Sequence, residues 1–117
     1  MNIGGGDAPN ASPQSLAAMG CRPGRGRLAD DELRLRLASL PGWTHAGERI
    51  EKTFHFSAYG GTIAFVNAVA AIAQREDHHP ELSVHYDRCV VSWSTHSARA
   101  VTLNDCICAA KVDSIKG

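Results

Sequence analysis

The sequence predicts an α+β fold in the order αββαββα, a four-stranded antiparallel sheet with helices packed on one face. Three observations carry this. Two stretches, about 43–56 and 82–95, read as β-hairpins. A long amphipathic stretch between them has helical spacing, and shorter stretches with that spacing flank the pair. Hairpins separated by helices favour antiparallel pairing with one sheet face covered and the other free for a second subunit.

The elements follow in order. Residues 1–28 hold six of the eleven glycines, three of the five prolines and no aromatic residue, whereas every aromatic falls between Trp43 and Trp93. A segment so poor in buriable surface does not offset its ordering entropy, so 1–27 is expected to be a flexible arm and 28–117 the folded domain. Asp30 or Asp31 is expected to cap a first helix in which Leu33, Leu37 and Leu40 share one face. Pro41-Gly42 stops it, because the residue before a proline is pushed out of the helical region. Trp43–Ala46, a Gly47-Glu48 turn and Arg49–Phe56 form the first hairpin. In its second strand Ile50, Phe54 and Phe56 share one face, which Lys52 interrupts, and Glu51, Thr53 and His55 share the other. Ser57 is placed to cap a helix over 58–76, where Ile63, Phe65, Val66, Val69, Ala70, Ile72 and Ala73 make a wide apolar stripe. A polar loop, Glu76 to Pro80, ends it. The second hairpin runs Leu82–Tyr86, Asp87-Arg88, Cys89–Thr95. Thr102 opens a last helix carrying Cys108, Val112 and Ile115 at i, i+4, i+7.

Composition and charge exclude several classes. With 44% hydrophobic and 21% charged residues, the chain is neither wholly disordered nor collagen-like. Twelve basic residues balance twelve acidic ones, so neither nucleic acid nor an anionic membrane is an expected direct partner. No apolar run approaches the ~20 residues of a membrane helix, and the first residues lack the regions of a secretory signal. A cytoplasmic location is the expectation. Cys21, Cys89, Cys106 and Cys108 are then expected as free thiols; residues two apart on a helix do not face each other, and a single C-x-C is weak as a zinc site. A domain of about 90 residues hides only roughly 60–65% of its unfolded surface, which makes further assembly a useful supplement.

The placement of the histidines carries the chemistry. His78 and His79 are adjacent in the loop after the long helix, and His96 ends the last strand. The ends of a compact hairpin lie together, so these three imidazoles can converge. Imidazole holds acid and base forms near neutral pH, and a cluster of them suits removing a proton at one atom while donating one at another. His45, His55 and His85 read as ordinary strand residues. Other readings stay open at this point: a solvated loop before a proline, or three histidines around zinc with an open fourth position. Asp105 falls three residues after Thr102, where an acidic residue reaches back to a helix N-terminus as a purely structural cap.

The string Asp77-His78-His79-Pro80-Glu81, then Tyr86, Ser94-Thr95-His96 and Asp105, resembles the pterin-4a-carbinolamine dehydratases, also called 4a-hydroxytetrahydrobiopterin dehydratases. Leu40-Pro41-Gly42-Trp43, Phe54-His55-Phe56 and Phe65 extend the likeness to about residues 28–116. The fold it implies has the element order read from the residues. It further implies dehydration of a 4a-hydroxytetrahydropterin to the quinonoid dihydropterin, recycling the cofactor of aromatic amino acid hydroxylases, with no cofactor or metal of its own. His78, His79 and His96 would be catalytic; Pro80, Thr95, Ser97, Asp77 and Asp105 would form the substrate-binding set, Asp77 and Asp105 by orienting an imidazole. The implied partners are the pterin and further copies of the chain, as a homodimer or homotetramer. The family also implies an alternative role as a non-catalytic module that stabilises dimers of a transcription factor. Three positions depart from the family pattern: Gln74 where an acidic residue is usual, Ala100 for a glycine and Leu82 for an aromatic.

Overall fold

A computed structural model of the protein describes residues 13–116. Its elements are α1 (Pro13–Ala17), α2 (Asp30–Ala38), β1 (Thr44–Ala46), β2 (Arg49–His55), α3 (Tyr59–Glu76), β3 (Glu81–Val84), β4 (Arg88–Trp93) and α4 (Leu103–Lys116). The strands form one antiparallel sheet in the order β1-β2-β4-β3, so the hairpins join along β2 and β4 and leave β1 and β3 as edges. The α+β class and the αββαββα order are those the sequence predicts, with α1 added ahead of them.

Period-2 alternation decides which sheet face is covered. Cys89, Val91 and Trp93 of β4 are buried, and the register sets Cys89 opposite Phe54 and Trp93 opposite Ile50. These side chains join Phe65, Val69 and Ile72 of α3 and Ile107 and Val112 of α4 in one core. The Phe54 and Phe65 rings lie 4.6 Å apart, a tilted pair that holds α3 against β2. Lys52, the interruption in the β2 pattern, is half-buried and has a structural use. Its Nζ donates to Asp113 Oδ1 and to the Pro41 carbonyl, both at 3.0 Å, and lies 4.9 Å above the Phe54 ring. Asp113 also accepts from Trp43 Nε1 at 3.1 Å, so α4, β2 and the end of α2 share one polar tie. Gly42, at φ +88°, gives that lysine room: a Cβ there would stand 2.9 Å from Lys52 Cε.

Several local expectations are corrected. Ser57 does not cap α3; Ala58 holds the N-cap in an extended conformation without a side-chain hydrogen bond. Thr62 Oγ1 instead fastens this end, donating to the Tyr86 carbonyl at 2.9 Å. Neither Asp30 nor Asp31 is the N-cap of α2; Ala29 is, and both carboxylates stand in the first turn, where they favour the helix dipole. The buried stripe of α3 is narrower than predicted, Thr62, Phe65, Val69, Ile72 and Ala73, with Ala70 exposed. Both strands of the second hairpin are shorter, and Thr95 pairs only with Ala100 because the chain reverses between them.

Part of the expected flexible arm, 1–12, lies outside the described residues. Within 13–27, several residues touch the domain. Leu16 is fully buried in the core, and Ala17, Met19 and Cys21 pack against it. Asn104 of α4 holds the segment further on, its Nδ2 donating to the Arg22 carbonyl at 2.8 Å and its Oδ1 accepting from the Arg22 backbone at 3.0 Å. Composition underestimates such a segment, since one buried leucine and a few directed hydrogen bonds anchor it. Among the described residues no helix is long and apolar enough to cross a membrane.

Candidate functional site

Two chain reversals build the site. The first ends α3. Asp77 adopts the left-handed conformation, φ 52° and ψ 43°, its N–H bonds the Gln74 carbonyl and the His78 N–H bonds that of Ala73. That pattern is a Schellman closure with aspartate where glycine is commonest, and short polar side chains tolerate the position. It delivers His78 directly off the helix end. The second reversal follows β4. Thr95 and Ala100 exchange backbone hydrogen bonds around residues 96–99, and Arg99 takes the left-handed φ of 51°. His96 and Ser97 stand on that loop. Because Glu81 pairs with Ser92, the residues before β3 run beside those after β4, and the two reversals meet.

His78 is the fixed member. Its Nε2 lies 2.6 Å from Asp105 Oδ1, and its ring stacks on the buried Trp93 at 5.5 Å and 12°. The Asp105 hydrogen bond holds the imidazole pKa above its ordinary value, outweighing partial burial, which lowers it. Asp105 is fully buried, and its other oxygen accepts from Thr95 Oγ1 and the Thr102 backbone, both at 2.8 Å. Thr102 Oγ1 accepts in turn from the Asn104 N–H at 3.2 Å. The two readings of Asp105 are therefore compatible in one side chain: one oxygen closes a capping box on α4 and the other faces His78. With Nε2 engaged, Nδ1 is the ring atom left to exchange a proton.

The three motif histidines line one cavity of about 240 Å³, together with Asp77, Ser94, Thr95 and Ser97. His79 and His96 are exposed, unlike His78. Thr95 is buried and spends its hydroxyl on Asp105 and Thr102, whereas Ser97 is exposed on the cavity wall. Pro80 lies apart from this cavity. With Ala70, Ala73, Gln74, His79 and Leu82 it lines a neighbouring groove, and His79 is common to the two. Among the described residues no cluster of three or more His, Cys, Asp or Glu is disposed to hold a metal ion.

Sequence reasoning missed a second wall. Cys21, Arg22, Arg25 and Asn104 line a cavity of about 220 Å³ that shares Asp77, His78, Thr95 and Ser97 with the first. Arg25 Nη1 donates to Asn104 Oδ1 at 2.9 Å, and the Cys21 N–H donates to Glu76 Oε1 at 2.9 Å. That last hydrogen bond holds the Glu76 carboxyl below its usual range. Nothing in the spacing of these residues signals their convergence, which depends on the docking of residues 13–25.

Comparison with known proteins agrees with the architecture. The family described as "Pterin 4 alpha carbinolamine dehydratase" matches residues 26–115. A protein of Chromobacterium violaceum is 48% identical over 103 residues, 86% of this chain and 95% of that one. One of Stenotrophomonas maltophilia is 47% identical over 105 residues, covering 86% and 90%. Both carry the name "Putative pterin-4-alpha-carbinolamine dehydratase". A crystal structure titled as a transcriptional coactivator/pterin dehydratase from Brucella melitensis superposes with a TM-score of 0.76 at 34% identity, covering 79% of this chain and all of that one. A pterin dehydratase-like RuBisCO assembly factor shares the fold alone, with a TM-score of 0.55 at 22% identity over 64% of this chain and 87% of that one. On its sequence match and its fold, the chain belongs to the pterin 4 alpha carbinolamine dehydratase family.

Proposed function

We propose that the protein removes water from a 4a-hydroxytetrahydropterin by histidine acid–base catalysis, giving the quinonoid dihydropterin and returning the cofactor of an aromatic amino acid hydroxylase to its cycle. The single observation that carries this reading is the convergence of His78, His79 and His96 on one small cavity. The step is balanced by two proton transfers. A donor protonates the departing 4a-hydroxyl as its C–O bond breaks, and an acceptor takes the proton from the adjoining ring nitrogen as the C=N bond forms.

His78 suits the donor, since the Asp105 carboxylate favours its protonated form. His79, on the same strand of chain, and His96, on the facing loop, are the acceptor and the imidazole that orients the ring. Asp77 and Ser97 on the cavity wall and the backbone around Thr95 offer polar partners to the pterin's amide edge. Pro80 acts by holding the loop before β3. Each well-placed acid or base contributes about 10²–10⁴-fold.

A stopped assay of carbinolamine breakdown by the purified protein tests the reading. His79→Ala and His96→Ala should each lower turnover by about 10²-fold or more at an unchanged melting temperature, and exhaustive chelation should leave activity intact. Full turnover in both variants overturns the assignment. A second reading, a non-catalytic module that binds a regulatory protein, is favoured by the double description of the Brucella structure. Recovery of a regulator by this chain together with no dehydratase activity would establish it instead. The open sheet face, with Arg49, Glu51, Ser83 and Ser92, is the surface proposed for assembly into a dimer or tetramer, which sedimentation measures.

A further inference from the structure

We propose that Cys21 and Cys108 form a reversible disulfide under hydroperoxide, fastening the segment before α2 to α4 beside the histidine site. The two sulfurs lie 3.4 Å apart across 87 residues of sequence. A disulfide needs about 2.05 Å, so the two sulfurs are already near bonding distance and must close by little more than 1 Å. The surroundings already bring the partners together: the Cys21 backbone is held by Glu76, its thiol is 3.6 Å from the Asn104 carbonyl, and the next residue is held by the Asn104 side chain.

The two thiols differ in the way an attacking and a resolving cysteine differ. Cys21 is half-buried and lines the cavity it shares with His78, so a small peroxide reaches it. Its pKa is lowered, chiefly by the Cys108 hydrogen bond and further by the His78 charge, against the effect of burial. Cys108 is fully buried with its pKa raised by the same contact and by burial. The remaining two thiols serve as internal controls. Cys89 and Cys106 are both fully buried, and burial pushes the Cys106 thiol up to about 12.

The chemistry balances in two steps. The Cys21 thiolate attacks one peroxide oxygen, the O–O bond breaks, and sulfenic acid and water result once the leaving oxygen takes a proton. The Cys108 sulfur then displaces the sulfenic oxygen, which leaves as a second water with the Cys108 proton. Two thiols have lost two electrons and one hydroperoxide has gained them.

The test uses the reduced full chain with a few equivalents of hydrogen peroxide at neutral pH. Two of the four thiols should be lost, non-reducing peptide mapping should join Cys21 to the 106–108 region, and dithiothreitol should restore all four. The melting temperature should rise on oxidation, because the link closes a long loop. Cys21→Ser and Cys108→Ser should each abolish the link, whereas Cys106→Ser should keep it. In Cys108→Ser the sulfenic acid on Cys21 should persist and be trapped by a 1,3-dione. Four titratable thiols after peroxide, a link between separate chains, or a link that survives Cys108→Ser but not Cys106→Ser would each overturn the proposal.

Discussion

Asp105 shows how one side chain joins stability to chemistry. Its two oxygens serve different customers, the first turn of α4 and the His78 imidazole. In Asp105→Asn the amide keeps an oxygen for the cap but removes the charge that favours protonated His78. The His78 titration, followed by NMR, should therefore move to lower pH. The folded pKa of His78 lies above its unfolded value near 6.5, so the stabilisation from its protonated form is complete below about pH 6.5 and is lost as pH rises through the folded value. The stability gap between wild type and variant, from urea unfolding, should accordingly be widest at low pH and narrow as the pH is raised. A gap that widens with pH would refute the coupling. At this scale the sequence was informative where spacing is local: Thr102 and Asp105 lie three apart, as a capping box requires. The partner of the second oxygen was open, because no local rule joins residue 105 to residue 78.

The helix ends decide where the imidazoles sit. Asp77 in the left-handed conformation turns the chain from α3 into the site, and a non-glycine residue there carries a cost of about 1–2 kcal/mol that a short polar side chain partly offsets. Asp77→Gly should leave stability unchanged or raise it by up to about 1 kcal/mol, whereas Asp77→Val should lower it by about 1–2 kcal/mol. Chemical denaturation separates the two. Equal losses in both variants would mean that the carboxylate, not the backbone, holds the turn. The long helix and the strands β2 and β4 were legible from periodicity and alternation, since each buries one face, whereas β3 buries little and Val84 and Tyr86 of its alternation are exposed. The ends of the elements were less legible. Ser57 looked like a cap, but the chain satisfies this end of α3 through Thr62 and Tyr86, a contact between elements. The second hairpin ends earlier than its alternation suggests because Thr95 is drawn into the reversal that presents His96.

Taken as one molecule, residues 16–25 pack against the domain that composition assigns to residues after 27. Leu16 is the anchor, fully buried on a five-residue helix against α4, and Lys111 Nζ donates to the Ala17 carbonyl at 2.6 Å. Whether this segment is arm or domain is a question of free energy. A leucine on a flexible arm costs almost nothing to truncate, while a buried one costs about 2–5 kcal/mol as Ala. For a domain of this size each kcal/mol moves the melting temperature by roughly 4–8 °C. Leu16→Ala should therefore lower the melting temperature by about 10 °C or more in a single transition, and amides of residues 16–22 should lose protection from exchange. Because Cys21, Arg22 and Arg25 reach the histidine site only through this docking, the same substitution should also weaken substrate binding more than it slows the bound reaction. An unaltered melting temperature would return the segment to the status of an arm, and the second wall of the site would go with it.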